Sequence, residues 1–139
     1  MRILLLAFLI APLASMGAPL KGEALEKSLE GAWCNSDDGG KTCFGYDDFS
    51  KGSMNSCGSV PETGALVTLQ TAYEVRGNRV CHTATAVNKG SLVNIGDIFC
   101  VDVLDISRRS MRYRLLSGEM ITVYRAPKMK LSCPAEGAK

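Results

Sequence analysis

Few residues of this chain could do chemistry: six cysteines at positions 34, 43, 57, 81, 100 and 133, one histidine, His82, and scattered aspartates. Zinc or a thioredoxin-type redox centre needs Cys-x-x-Cys pairs or a Cys/His set. Here 8, 13, 23, 18 and 32 residues separate successive cysteines, and His82 stands alone. No metal site is expected. An acyl-transfer triad would have to be built on His82, but Cys81-His82-Thr83-Ala84-Thr85 brings no paired nucleophile with it. A half-exposed surface histidine is the expectation. A hydrolytic carboxylate pair could be drawn from Asp37, Asp38, Asp47, Asp48, Asp97, Asp102 and Asp105, yet no spacing selects any two of them. Asp37-Asp38-Gly39-Gly40 and Asp47-Asp48 lack the ladder and terminal Glu of a calcium loop and read as solvated charges. No glycine-rich phosphate loop follows a strand, so no nucleotide or other cofactor is expected.

The amino terminus decides what the cysteines mean. Arg2, the apolar run Ile3 to Ala11, Pro12, and the small residues Ser15, Gly17 and Ala18 follow the order of a secretory signal peptide. The nine-residue apolar run is far shorter than the roughly 20 residues of a spanning helix, so no membrane span is expected after processing. Residues 1–18 are therefore read as a signal peptide and 19–139 as a single β-rich domain, periplasmic or secreted. In an oxidising compartment an even set of six cysteines reads as three disulfides.

The elements that must carry these residues follow from periodicity. Leu20, Leu25 and Leu29 among Glu23, Glu26 and Lys27 suggest a short amphipathic helix that Gly31 ends. Ala32-Trp33-Cys34 reads as a first strand, and Cys43 to Tyr46 as a second strand-like stretch after the polar loop 35–40. Residues 47–63, rich in Asp, Ser, Gly, Asn and Pro, read as a long loop. From residue 65 onward strands follow one another at 65–75, 79–87, 97–106, 109–116 and 119–125. Arg76-Gly77-Asn78 and Ser117-Gly118 supply the turns. Phe99, Val101 and Val103 share one face, as do Met111, Tyr113 and Leu115. The fold class expected is all-β: a small antiparallel meander, barrel or sandwich, with a short N-terminal helix and disulfide staples.

If the strands around 81 and 100 pair antiparallel across a Lys89-Gly90-Ser91 turn, Cys81 faces Cys100. That is the favoured disulfide. Cys34 with Cys43 comes second and leaves Cys57 with Cys133, one of 15 pairings that six cysteines allow.

Gly31-Ala32-Trp33 opening the first strand, an all-antiparallel meander, and Tyr124-Arg125 on the last strand together resemble the lipocalin-like (calycin) families. The resemblance implies a barrel closed at one end by an Arg packed over the Trp ring, with Trp33 and Arg125 as that pair and Arg114 as the second candidate. A guanidinium over an indole face is a favourable contact. The domain of about 120 residues is short for the full eight strands of that family. A smaller or incomplete barrel therefore competes with a complete one.

Composition narrows the function classes. With 46% hydrophobic and 22% charged residues the chain is that of an ordinary globular domain, and a net charge of +2 argues against nucleic acid as a partner. Charge is uneven, however. Residues 19–100 carry 7 basic and 10 acidic side chains, net −3, whereas 101–139 carry 8 and 4, net +4. Arg108, Arg109, Arg112, Arg114, Lys128 and Lys130 could form a patch for an anionic partner or simply a solvated outer face. The first reading of function is an exported, non-enzymatic binding protein for a small ligand or an envelope protein. An inhibitor or immunity-type protein blocking a cell-envelope enzyme is the alternative, and a small carboxylate hydrolase the third. An interior that leaves a cavity favours a ligand; an interior filled by Phe, Tyr, Leu and Met favours the inhibitor.

Overall fold

The computed structural model describes residues 18–59, 63, 65–88 and 91–126. One helix, α1 (Gly22–Leu29), precedes eight strands: β1 (Gly31–Asn35), β2 (Gly45–Ser50), β3 (Ser53–Ser59), β4 (Leu66–Arg76), β5 (Arg79–Val87), β6 (Ile98–Ile106), β7 (Ser110–Leu115) and β8 (Met120–Arg125). Each strand pairs antiparallel with the next, and β8 returns to β1, giving a closed barrel. Closure leaves no sheet edge to template aggregation. The eight strands are complete, so short length did not truncate the barrel.

Tight glycine turns make this economy possible. Gly52, Gly77 and Gly118 all sit at positive φ, at +72°, +64° and +94°, where a side chain would be strained. The turn at Lys51 and Gly52 corrects the expectation of a long loop over 47–63, because β2 and β3 form a tight hairpin paired from Ser50–Ser53 to Gly45–Gly58. Polar residues occupy both faces of that hairpin, and barrel closure overrides their weak strand preference.

Cys81 and Cys100 lie directly opposite in the β5–β6 ladder and form a disulfide, as does Cys34 with Cys43. The second closes the β1–β2 loop. Cys57 is also disulfide-bonded. Its expected partner, Cys133, lies outside the described residues, as do the signal-peptide residues 1–17 and the basic residues Lys128 and Lys130.

The first and last strands meet over a short seam, Trp33 opposite Arg125, Cys34 opposite Tyr124 and Asn35 opposite Val123. Helix α1 lies across that end of the barrel. Leu25 and Leu29, four residues apart on one face, are fully buried, and the Gly22 amide donates to the Gly77 carbonyl at 2.8 Å. Trp33 is fully buried beneath the helix and its indole Nε1 donates to the Leu29 carbonyl at 2.7 Å. Above the ring, the guanidinium carbon of Arg125 stands 3.7 Å from the centroid. Its Nη1 donates to the Glu30 carbonyl at 2.6 Å and its Nη2 to the Ser28 carbonyl at 3.0 Å. These are carbonyls at the helix C-terminus, where a cation also meets the negative end of the helix dipole. Gly31, at φ +102°, lets the chain turn from helix into β1, and a Cβ there would stand 3.1 Å from Arg125 Nη1.

Arg125→Ala should therefore lose a cation–π contact and two charge-assisted hydrogen bonds, a destabilisation of about 2–4 kcal/mol. Chemical denaturation should show that loss, and the emission of Trp33, the single tryptophan, should shift with it. Arg109→Ala, on an exposed turn, serves as the control and should do neither.

Candidate functional site: the barrel interior

The same geometry that places α1 over one end leaves the other open. Strand directions put the short turns at the helix end and the longer connections 36–44 and 116–119, with residues 91–97, at the opposite end. Between them is a cavity of about 310 Å³, with Leu29 of α1 reaching its wall. Alternation along each strand supplies the rest of the lining. Phe49, Met54, Val80, Phe99, Val103 and Met111 make it apolar, and Asn35, Asp47, Ser56, His82 and Tyr113 add polar groups. The lining side chains are large, yet space remains among them.

The polar groups fall into two stations. The first is centred on Asp47. Register places Asp47 opposite Trp33 on one side and opposite Ser56 on the other, and Asn35 follows Trp33 by two residues on the same face. Gly45 stands opposite Asn35, and a Cβ there would press on the Cys57 carbonyl oxygen at 3.3 Å. Asn35 Nδ2 donates to Asp47 Oδ2 at 3.1 Å, and the Ser56 hydroxyl also hydrogen-bonds the carboxylate. Asp47 keeps some exposed surface only because it faces the cavity, and protein surrounds it otherwise. Removal from water pushes its carboxyl above the usual range, against the pull of Ser56 and Asn35. The Tyr113 hydroxyl is likewise pushed up, first by burial and then by the charges of Asp47 and Glu119, so the phenol stays neutral.

The second station is His82. It is 4% exposed, which corrects the expectation of a half-exposed surface histidine. Cys81 and its disulfide occupy the outer face of β5, so the alternation Val80, His82, Ala84 points inward. The ring stacks on Phe99 at 5.0 Å and 10°, meets Phe49 and Tyr73 at 5.9 and 5.8 Å, and places Nδ1 3.0 Å from Thr71 Oγ1. Burial lowers its pKa to about 4, so the imidazole is neutral at physiological pH.

The other candidate residues are dispersed. Asp38 is held in its loop by Ser36 and the Lys41 and Thr42 amides, which keep its carboxyl well below the usual carboxylate range. Asp97 accepts from the Asn94 amide, and Asp37 and Asp48 are exposed. On the outer wall Asp102 pairs with Arg79 at 2.7 Å and Arg114 at 3.6 Å, and Asp105 with Arg112 at 2.7 Å. Among the described residues no second carboxylate joins Asp47 in the cavity, and no three His, Cys, Asp or Glu side chains gather for a metal. Arg112 and Arg114 are thus ion-paired, Arg109 is exposed on the β6–β7 turn, and Arg108 lines a shallow outer groove with Lys27 and Arg125.

At the open end a second hollow of about 270 Å³ shares Asn35, Ser56 and Leu69 with the cavity, and Phe44 and Val93 help to line it. The large exposed apolar side chains of the described residues, Leu20 apart, also gather at this end, including Phe44, Leu66, Leu92, Ile95 and Leu116. They form an apolar lip around the entrance.

No protein-family model matches the chain, and no curated protein matches it. In three dimensions it is similar to a lipocalin-like protein from Bacteroides uniformis ATCC 8492, with a TM-score of 0.53 at 19% sequence identity, over 70% of this chain and 98% of that one. At this identity the likeness is one of fold: the eight-stranded antiparallel barrel is lipocalin-like.

The buried neutral histidine has a measurable signature. Between about pH 6.5 and pH 4 the unfolded chain binds a proton that folded His82 refuses, so stability falls as pH is lowered through that window. The shift corresponds to about 3 kcal/mol. Asp47, with its raised pKa, contributes in the opposite sense, so the difference between wild type and His82→Gln isolates the histidine. Urea denaturation at pH 7, 5.5 and 4 should show the variant losing less stability on acidification than wild type. Parallel curves would contradict the buried neutral state.

Proposed function

We propose that this protein is an exported, non-enzymatic carrier that holds one small molecule inside its barrel. The observation that carries the reading is the cavity of about 310 Å³, mostly apolar with a few convergent polar groups and open through an apolar lip. Sites for small molecules have this composition and span about 300–1,000 Å³, so the space suits a compact ligand. A protein built only to present its outer surface to an enzyme has no need to leave such a space, and this favours the ligand over the inhibitor reading. Dispersal of the carboxylates removes support from the hydrolase reading, because the pair it requires does not assemble in the cavity.

Export rests on the Arg2 to Ala18 pattern and on the disulfides, which persist in oxidising compartments. Among the described residues no helix is long and apolar enough to cross a membrane.

One preparation tests both parts. Protein recovered from the periplasm or medium should show by intact mass an amino terminus between residues 17 and 20. It should bind the neutral apolar fluorophore N-phenyl-1-naphthylamine at one site. Val101→Phe, which adds bulk to the cavity wall, should weaken that binding at least about tenfold while the barrel stays folded. Binding that Val101→Phe leaves unchanged, or no binding by a folded protein, would overturn the carrier reading.

A further inference from the structure

Asp47 gives the cavity a chemical preference. It is the one acidic side chain among the described lining residues, and no Lys or Arg contributes to the wall. A carboxylate has about four acceptor positions, and the donors on Asp47 are two uncharged groups, the Asn35 amide and the Ser56 hydroxyl. Capacity is therefore left over on the side facing the empty space. Tyr113 lines the same cavity, and its hydroxyl feels the Asp47 carboxylate. The outer hollow meets the cavity at Asn35 and Ser56, so a ligand entering from the open end passes this station. The stacked His82 and Phe99 rings, with Phe49 edge-on, offer flat apolar surface within the same cavity.

We propose that the ligand is a compact apolar molecule bearing one protonated amine, with the ammonium on Asp47 and the apolar body among Phe49, Phe99 and Val103. This rests on the carrier reading and names its ligand class. An ammonium supplies both the charge and the missing donors, and charge-assisted hydrogen bonds of this kind are about twice as strong as neutral ones. A neutral isostere supplies no counter-charge to the desolvated Asp47 side chain, and an anion would add like charge beside it. The cavity volume, near the lower bound for small-molecule sites, favours a compact body.

The test is calorimetric titration at pH 7.5 with three probes of nearly equal shape: 2-phenylethylammonium, 2-phenylethanol and 3-phenylpropanoate. The ammonium should bind at least about tenfold tighter than the alcohol, and the carboxylate should not bind measurably. Asp47→Asn should lower the ammonium affinity by about tenfold or more and leave the alcohol within about threefold. Alcohol binding equal to or tighter than that of the amine in wild type overturns the amine assignment while leaving the cavity as a binding site. Failure of all three in a protein that still binds N-phenyl-1-naphthylamine also overturns it. Failure of all three together with that fluorophore removes the carrier reading as well. Should Asp47→Asn not fold, the wild-type series alone decides.

Discussion

Arg125 stands where the two ends of the barrel meet, and what it touches explains why the barrel has a floor. Its guanidinium lies on the Trp33 ring, donates to the Ser28 and Glu30 carbonyls, and belongs to the residue directly opposite Trp33 across the seam. One side chain thus joins β1, β8 and the end of α1. The seam itself contains three residue pairs, whereas β4 and β5 share eight, so closure depends on side-chain contacts more than any other part of the wall. A planar fork with several donors can serve the ring and two carbonyls together, which the point charge of a lysine cannot. Partial burial lowers the Arg125 pKa, but a guanidinium stays charged regardless.

With the floor fixed by Leu25, Leu29 and Trp33, the opposite end is free to stay open. Apolar burial is concentrated toward the helix end, and the Asp47 station lies where the cavity meets its entrance. Each polar group inside carries a desolvation cost. Thr71 offsets that of His82, and Asn35 and Ser56 offset part of that of Asp47. His82 meets its cost by remaining neutral. Asp47 has no such complete compensation within the protein, and that difference separates a structural polar group from one oriented toward a ligand.

The meander was legible from residue 65 onward because inward positions there are apolar and outward ones polar or charged, as with Met111, Tyr113 and Leu115 against Arg112 and Arg114. The Cys81–Cys100 pairing followed from register alone. The hairpin β2–β3 was not legible, since its inward residues include Asp47 and Ser56, so the alternation that marks a half-buried strand is absent where the site lies. Asp47 was consequently one carboxylate among seven. His82 was misplaced because alternation says which residues share a face without saying which face is inside. Val80 and Ala84 on its own face, against Thr83 and Thr85 on the other, were the signal available. Gly31-Ala32-Trp33 was legible only through resemblance, because nothing in local periodicity links Trp33 to a residue more than ninety positions later.

The central claim is that Arg125 couples the helix to the seam, and hydrogen exchange resolved by residue tests it most directly. In Arg125→Ala the amides of α1 and of the β1–β8 pairs should lose protection strongly, while those of the β3–β6 wall should retain most of theirs. Unchanged protection in α1, or an equal loss across every strand, would contradict the claim that this one side chain holds the floor of the barrel.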